Sequence, residues 1–101
     1  MAKKITIYWR DIPSAVIVQR GRAREKVQLS HRFQEAIDRA AMRAGKGGSD
    51  AYIAEWRREA AVLGKVTDIA ATAKAEADKF ESSISDEQLT ALIRSHGVAE
   101  A

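Results

Sequence analysis

The sequence predicts an α+β domain in which a short antiparallel sheet of two to three N-terminal strands packs on a central helix, followed by about three further helices. Two observations predict this order. Along residues 4–10 apolar side chains alternate with polar ones and residues 15–18 are all apolar, as on strands, whereas from residue 30 onward apolar residues recur every three or four positions, as on helices. Because a length of 101 residues is typical of one domain, we treat residues 1–101 as a single domain.

The strand region, residues 1–29, contains three candidate strands. In the first, residues 4–10, Ile5, Ile7 and Trp9 point to one side and Thr6, Tyr8 and Arg10 to the other. Pro13 then ends the run, because proline has no amide hydrogen to donate to a neighbouring strand. Residues 15–20 form a second strand that is apolar on both faces and is therefore expected to be central. Residues 27–29 form a short third strand.

The central helix is predicted over residues 30–45. Ser30 is a typical N-cap, and Gly45 is a typical stop, because glycine adopts the left-handed conformation found at helix C-termini. One face of this helix is apolar and consists of Phe33, Ile37, Ala40, Ala41 and Ala44. Since a small open sheet is not stable without a cover, we expect this face to pack on the strands.

The helical remainder, residues 49–97, is predicted to contain three helices. The first begins at Ser49 or Asp50 and ends at Gly64, although its aromatic and β-branched residues also suit a strand. The second is capped by Thr67, and its apolar seam consists of Ile69, Ala73, Ala77, Phe80 and Ile84. The last begins with a capping box formed by Ser85 and Gln88, and it ends at Gly97. Residues 98–101 are expected to fray.

Composition narrows the class of protein. No apolar run approaches the roughly 18 residues that a membrane-spanning helix needs, and the chain contains no cysteine for disulfides. We therefore expect a cytoplasmic protein that does not enter a membrane. Residues 1–48 hold eleven Lys/Arg and four Asp/Glu, whereas residues 49–101 hold six and ten. This asymmetry indicates either a basic face for an anionic partner or two halves that attract each other.

A row of basic residues is the first candidate site. Arg20, Arg22 and Arg24 are spaced by two, so that in an extended chain they would project to one side, and Lys26 continues the row. Arg10 could join them from a neighbouring strand. Guanidinium groups in a row suit phosphates, which predicts binding of nucleic acid or another anion. The alternative is a solvated edge strand, because edge charges oppose aggregation.

The aromatic residues are the second candidate site. Tyr8, Trp9, Tyr52 and Trp56 carry most of the aromatic surface of the chain. An exposed patch of such rings would suit a protein partner. The alternative is that they belong to the core and to a satellite cluster beneath the second helix.

No catalytic, cofactor-binding or metal-binding constellation is predicted. The segment GKGGS, residues 45–49, follows a helix rather than a strand, so it reads as a helix stop and a joint rather than a phosphate loop. His31 and His96 have no further ligands at metal-binding spacing. Capping already explains Ser30 beside His31. We therefore expect a protein that is not an enzyme and has no cofactor.

Three segments resemble a known family: KKITIYWRDIPSAVIV, KVQLSHRFQEAIDRAAMRAG and GGSDAYIAEWRRE. Over residues 3–59 the chain is similar to small bacterial proteins of the virulence factor family, a domain also found at the N-terminus of conserved virulence factor C-like proteins. The resemblance implies an interaction module without transferable catalytic residues, with an accessory role in one-carbon or corrinoid methyl-transfer metabolism. We therefore expect a small non-catalytic adaptor that binds a protein partner, with nucleic-acid or polyanion binding as the alternative.

Overall fold

The helices and strands follow one another in the order β1 (Ala2–Trp9), β2 (Ile12–Arg20), β3 (Ala23–Gln28), α1 (His31–Arg43), α2 (Ser49–Ile53), β4 (Trp56–Gly64), α3 (Ile69–Ser83) and α4 (Asp86–Arg94). The computed structural model describes residues 1–99, except for the side chain of Ser49. The predicted α+β class is confirmed, whereas the sheet has four strands rather than two or three. Of the tail predicted to fray, residues 100 and 101 lie outside the described residues.

The sheet is antiparallel throughout and has the order β3-β2-β1-β4. The internal position of β2 agrees with the prediction from its two apolar faces, since every residue from Ile12 to Val18 is buried. Between β1 and β2 the register shifts, so that Ile7 pairs with Ala15 and Tyr8 with Pro13. Ser14 is therefore an extra residue in β2 and forms a β-bulge, a feature that bends a strand locally.

The helix predicted over residues 49–64 is wrong. Only Ser49–Ile53 is helical, and Trp56–Gly64 forms β4, an edge strand that pairs with β1. Alanine, glutamate and arginine in this segment favour a helix locally. However, β1 presents a free edge, and pairing along it satisfies backbone groups of both strands. Tertiary pairing therefore overrides the local helical preference.

The core lies between the sheet and the helices. Val16 and Val18 of β2 belong to the same apolar cluster as the buried stripe of α1, namely Phe33, Ala36, Ile37, Ala40 and Ala41. Four residues of the predicted apolar face, Phe33, Ile37, Ala40 and Ala41, belong to this cluster, whereas Ala44 does not. The predicted seam of α3 is confirmed, because its members all belong to this cluster or pack against it: Ile69, Ala73, Ala77, Phe80 and Ile84. Thus α3 packs on β2 and β3, and α1 packs on β2 and α4.

The helix ends agree with the sequence in part. The capping box of Ser85 and Gln88 is present at the start of α4. Ser30 occupies the N-cap of α1 but makes no capping bond; its hydroxyl donates to Glu81 Oε1 over 2.9 Å. The predicted cap Thr67 is wrong by one residue, because the carboxylate of Asp68 accepts from the Ala71 amide. Carboxylate caps of this kind compensate the free amides of the first turn.

Candidate functional site

Three of the aromatic candidates form one cluster at the end of the sheet. The Trp9 ring stacks on Tyr52 at a centroid distance of 5.9 Å, and Tyr52 meets Trp56 edge-on at 5.7 Å. Trp9 Nε1 donates to the Tyr52 carbonyl oxygen over 2.9 Å. Trp9 is 0% exposed, which corrects the expectation that this ring lies in an exposed patch. Its size and central position make it part of the core.

Tyr8 lies on the other side of β1. Its ring meets Phe80 of α3 edge-on at 6.4 Å, and the Arg57 guanidinium lies 4.3 Å from its centroid. Burial raises the pKa of Tyr8, and the nearby Glu59 carboxylate raises it further. The four aromatic residues are thus divided between two places, and a partner-binding role for Tyr8, Tyr52 and Trp56 stays a prediction.

The basic row is divided between the two faces of the sheet. Arg20 pairs with Ala23 and Arg24 with Gln19, so the two guanidinium groups leave the sheet on opposite sides. Arg20 donates to the carbonyl oxygens of Val66 and Thr67, which precede α3. Arg22 lies in the turn between β2 and β3. The turn therefore breaks the single row that the spacing predicts.

Arg10 is held at the end of the β1–β2 hairpin. Its guanidinium donates to the His96 carbonyl oxygen over 2.9 Å and to Glu55 Oε1 over 3.3 Å. The hydrogen bond from Arg10 lowers the pKa of Glu55. These partners engage Arg10, Arg20 leaves the sheet on the other face, and Arg22 lies in the turn. Of the predicted anion-binding residues, Arg24 and Lys26 therefore share a face of the sheet.

Arg24 and Lys26 belong to a surface that we call the open face, the side of the sheet opposite α3. Strand alternation and register place three cross-strand rows on it: Gln28, Ala15, Ile7 and Arg58; Lys26, Ile17, Ile5 and Ala60; Arg24, Gln19, Lys3 and Val62. Among the described residues, the apolar cluster that joins the sheet to the helices includes none of Ile5, Ala15 and Ile17. Helix α3 therefore packs on the opposite side of these rows, whereas Tyr52 of α2 stacks on Trp9 beyond their end.

Exposure on the open face rises from its centre towards β4. Ile17 is 1% exposed and Ile5 is 9% exposed, whereas Ile7 is half-buried and Ala60 is exposed. Val62 is 72% exposed, one of the largest values for an apolar side chain in the described part of the chain. The accessible apolar strip thus runs over β1 and β4.

The charge of the open face has one sign. Its rows contain Lys3, Arg24, Lys26 and Arg58 and no acidic residue, since Glu25 and Glu59 pair into rows of the other face. All four basic residues are exposed, and none of them forms an ion pair within residues 1–99. Unpaired cations beside apolar side chains give a surface that suits an anionic partner with apolar groups.

The sequence alone does not identify Lys3 and Arg58 as members of this surface. The alternation that places Ile5 and Ile7 on one side of β1 also places Lys3 there, so that signal exists in the sequence. For Arg58 there is no such signal until β4 is recognised as a strand, because its neighbours have helical preference.

Residues with possible chemical roles are dispersed. His31 approaches Glu35 of the same helix at 3.4 Å, while His96 follows α4. Within the described ranges, no group of three or more His, Cys, Asp or Glu side chains could hold a metal ion. An open depression of about 580 Å³ along α4 is lined by Ile84, Gln88, Ala91, Leu92, Arg94, Ser95 and Ala99. Arg94 is the one titratable side chain in that lining.

Comparison with known proteins places the chain in a family. No helix in residues 1–99 has the length and apolar character needed to cross a membrane. No curated protein and no solved structure matches the chain. The model of the family described as "Virulence factor" matches residues 7–93, from β1 to α4, which extends the resemblance of residues 3–59 through the C-terminal helices. The chain therefore belongs to the virulence factor family.

Proposed function

We propose that this protein is a small non-catalytic adaptor or accessory protein that binds another protein through the open face. The observation that supports the proposal most directly is the accessible apolar strip formed by Ile7, Ala60 and Val62, on the side of the sheet opposite α3. Apolar side chains that cluster at the surface without an internal role are typical of protein interaction sites. The cations around this strip, Lys3, Arg24, Lys26 and Arg58, have no internal ion-pair partners and are available to bind.

Substitution of Val62 by aspartate tests this proposal. Met42 of α1 supplies a matched control, because it is 73% exposed and Val62 is 72% exposed. We expect Val62→Asp to reduce at least tenfold the recovery of a specific partner that copurifies with the tagged protein, because the carboxylate would lose its hydration where an apolar contact is needed. Met42→Asp should recover that partner at the level of the unsubstituted protein.

Circular dichroism of both variants verifies that they are folded. The proposal is contradicted if Val62→Asp and Met42→Asp recover the same partner equally, or if repeated purifications of the unsubstituted protein give no reproducible partner.

The family resemblance also leads us to propose that the partner acts in one-carbon or corrinoid methyl-transfer metabolism. Mass spectrometry of the proteins recovered by the unsubstituted chain but lost with Val62→Asp tests this point. We expect a methyltransferase or corrinoid protein among them. Recovery of proteins from unrelated processes only would contradict the metabolic link while leaving the adaptor proposal intact.

Polyanion binding is the second candidate function, and the single sign of charge on the open face favours it. Arg24→Glu combined with Lys26→Glu should weaken binding of an oligonucleotide, and the affinity of the unsubstituted protein should fall steeply with salt as counterions are released. Arg43→Glu combined with Arg94→Glu is the control, since both residues are exposed and lie on helices. Absent or salt-independent binding would exclude this candidate.

A further inference from the structure

We infer that the partner presents an amphipathic helix whose apolar stripe is bordered on both sides by carboxylates, and that this helix lies along the strands of the open face. The inference rests on the proposed function and adds the chemistry of the partner. It follows from where the unpaired charges of the open face lie, how wide the face is, and which kinds of side chain it lacks.

The cations lie at both edges of the open face. Arg24 and Lys26 lie on the edge strand β3, Arg58 lies on the opposite edge strand β4, and Lys3 lies on β1 beside Val62. Neighbouring strands are about 4.8 Å apart, so four strands span about 14 Å. An α-helix with its side chains is about 10–12 Å wide. A helix that lies along the strands therefore has cations within reach on both of its flanks.

The β1–β4 side of the open face fits the apolar stripe of such a helix. Ala15 and Ile17 are each 1% exposed and Ile5 is 9% exposed, so these three side chains leave almost no further area for a partner to cover. Ile7 and Val62 are the more accessible side chains. A partner helix can lay larger apolar residues across this area, where their burial from water stabilises the complex in proportion to the area covered.

Nucleic acid would use the cations but not the rest of the surface. Proteins that bind single strands on a sheet stack bases on aromatic rings, and the three rows of the open face contain no aromatic residue. Trp9 and Trp56 lie beyond these rows in the cluster around Tyr52. An acidic amphipathic helix engages both the charges and the apolar strip, which is why we favour it.

Three fluorescent peptides of about 18 residues test the inference, a length that gives about five helical turns. The first is helical, with a leucine stripe bordered by glutamates; the second has lysines in place of the glutamates; the third has the composition of the first with the stripe scrambled. Anisotropy titrations measure their affinities for the full chain. We expect the first peptide to bind at least tenfold more tightly than either of the others.

Charge-reversal variants show whether the open face is responsible. Lys26→Glu combined with Arg58→Glu should weaken binding of the acidic peptide at least tenfold and should create binding of the lysine-bordered peptide. The matched control is Arg43→Glu combined with Arg94→Glu. It makes the same change of charge, but in the last turns of α1 and α4. This control should leave the affinities for both peptides within about twofold of those of the unsubstituted protein. Salt screens the interaction between the bound peptide and exposed charges that lie far from the open face.

Each contrary result has a definite meaning. Equal binding of the acidic and scrambled peptides would reduce the effect to general attraction between charges and overturn the inference. Tighter binding of a single-stranded oligonucleotide or an anionic vesicle, in competition with the peptide, would assign the surface to that ligand instead. If Val62→Asp prevents recovery of the cellular partner but the acidic peptide does not bind, the adaptor proposal stands and only the partner chemistry is wrong.

Discussion

The two faces of the sheet differ in how their charged residues are satisfied. On the face that the helices cover, Lys4 Nζ lies 2.9 Å from Glu76 Oε1, and Arg20 donates to two backbone carbonyl oxygens. On the open face, Lys3, Arg24, Lys26 and Arg58 make no ion pair within the described ranges. The covered face is thus built for stability, whereas the open face retains charges that folding does not use.

The difference alternates along single strands. Val16 belongs to the core cluster and its neighbour Ile17 does not, although both are buried. Successive residues of a strand point to opposite faces, so one strand can serve the core and a binding surface at once. The comparison therefore predicts large losses of stability for changes on the covered side and small ones on the open face.

The largest effect is expected in the core. Phe33→Ala should lower the free energy of unfolding by about 3–5 kcal/mol, because it removes a fully buried ring between α1 and the sheet. Urea denaturation followed by circular dichroism measures the change. Met42→Ala on the same helix is the control and should change stability by less than about 0.5 kcal/mol. Similar losses in the two variants would refute the assignment of the core.

The next effect is expected at Gly97, where the chain passes Trp9 closely. Gly97 has φ 85°, and a Cβ there would lie 2.9 Å from Trp9 Cζ3. Gly97→Ala should cost about 2–4 kcal/mol, from backbone strain together with overpacking. Gly45→Ala is the matched control, since Gly45 has φ 71° but no atom beyond its own chain neighbours within 4 Å of its Cβ position. Equal losses would show that the contact with Trp9 does not matter.

A smaller, pH-dependent effect is expected at Glu76. Hydrogen bonds from Lys79 and Lys4 lower the pKa of its carboxyl group, so the folded protein holds the proton less tightly than the unfolded chain. This contribution is therefore complete above the ordinary glutamate pKa of about 4.3 and is lost as the pH falls through the lowered value. Glu76→Gln should cost about 1 kcal/mol at pH 7 and almost nothing at strongly acidic pH.

Denaturation of the two proteins at a series of pH values measures this difference. A gap between the unsubstituted protein and Glu76→Gln that stays constant down to acidic pH would contradict the role of the ionised carboxylate.

The smallest effect is expected on the open face. Lys26→Glu and Arg58→Glu should each change the free energy of unfolding by less than about 0.5 kcal/mol, because both side chains are exposed and have no ion-pair partner in the described part of the chain. Thermal denaturation is sufficient to detect larger changes. A loss of 1 kcal/mol or more would show that these cations stabilise the fold, which would contradict their assignment to a binding surface.

Local features of the fold could be predicted from the sequence. The capping box of Ser85 and Gln88 depends on residues three positions apart, and the apolar stripe around Phe33 depends on helical spacing. Both signals lie within one element, so no knowledge of the tertiary structure is needed. The internal position of β2 could be predicted for the same reason, from its two apolar faces.

The features that depend on distant contacts could not be predicted. Residues 56–64 become a strand because β1 offers an edge, and β1 lies more than forty residues earlier in the chain. The candidate site depends on this pairing, since Arg58, Ala60 and Val62 join the open face only when β4 forms. The predicted row from Arg20 to Lys26 fails because the turn at Gly21 sends Arg20 and Arg24 to opposite faces.

Methyl NMR of the isoleucine side chains tests the central claim most directly. Ile5, Ile7 and Ile17 lie on the open face, whereas Ile12 and Ile37 belong to the core cluster. When the partner recovered from cells is added to labelled protein, we predict that the signals of Ile5, Ile7 and Ile17 shift while those of Ile12 and Ile37 do not. Shifts confined to Ile12 and Ile37 would contradict binding at the open face. The absence of a shift in all five signals would contradict it as well.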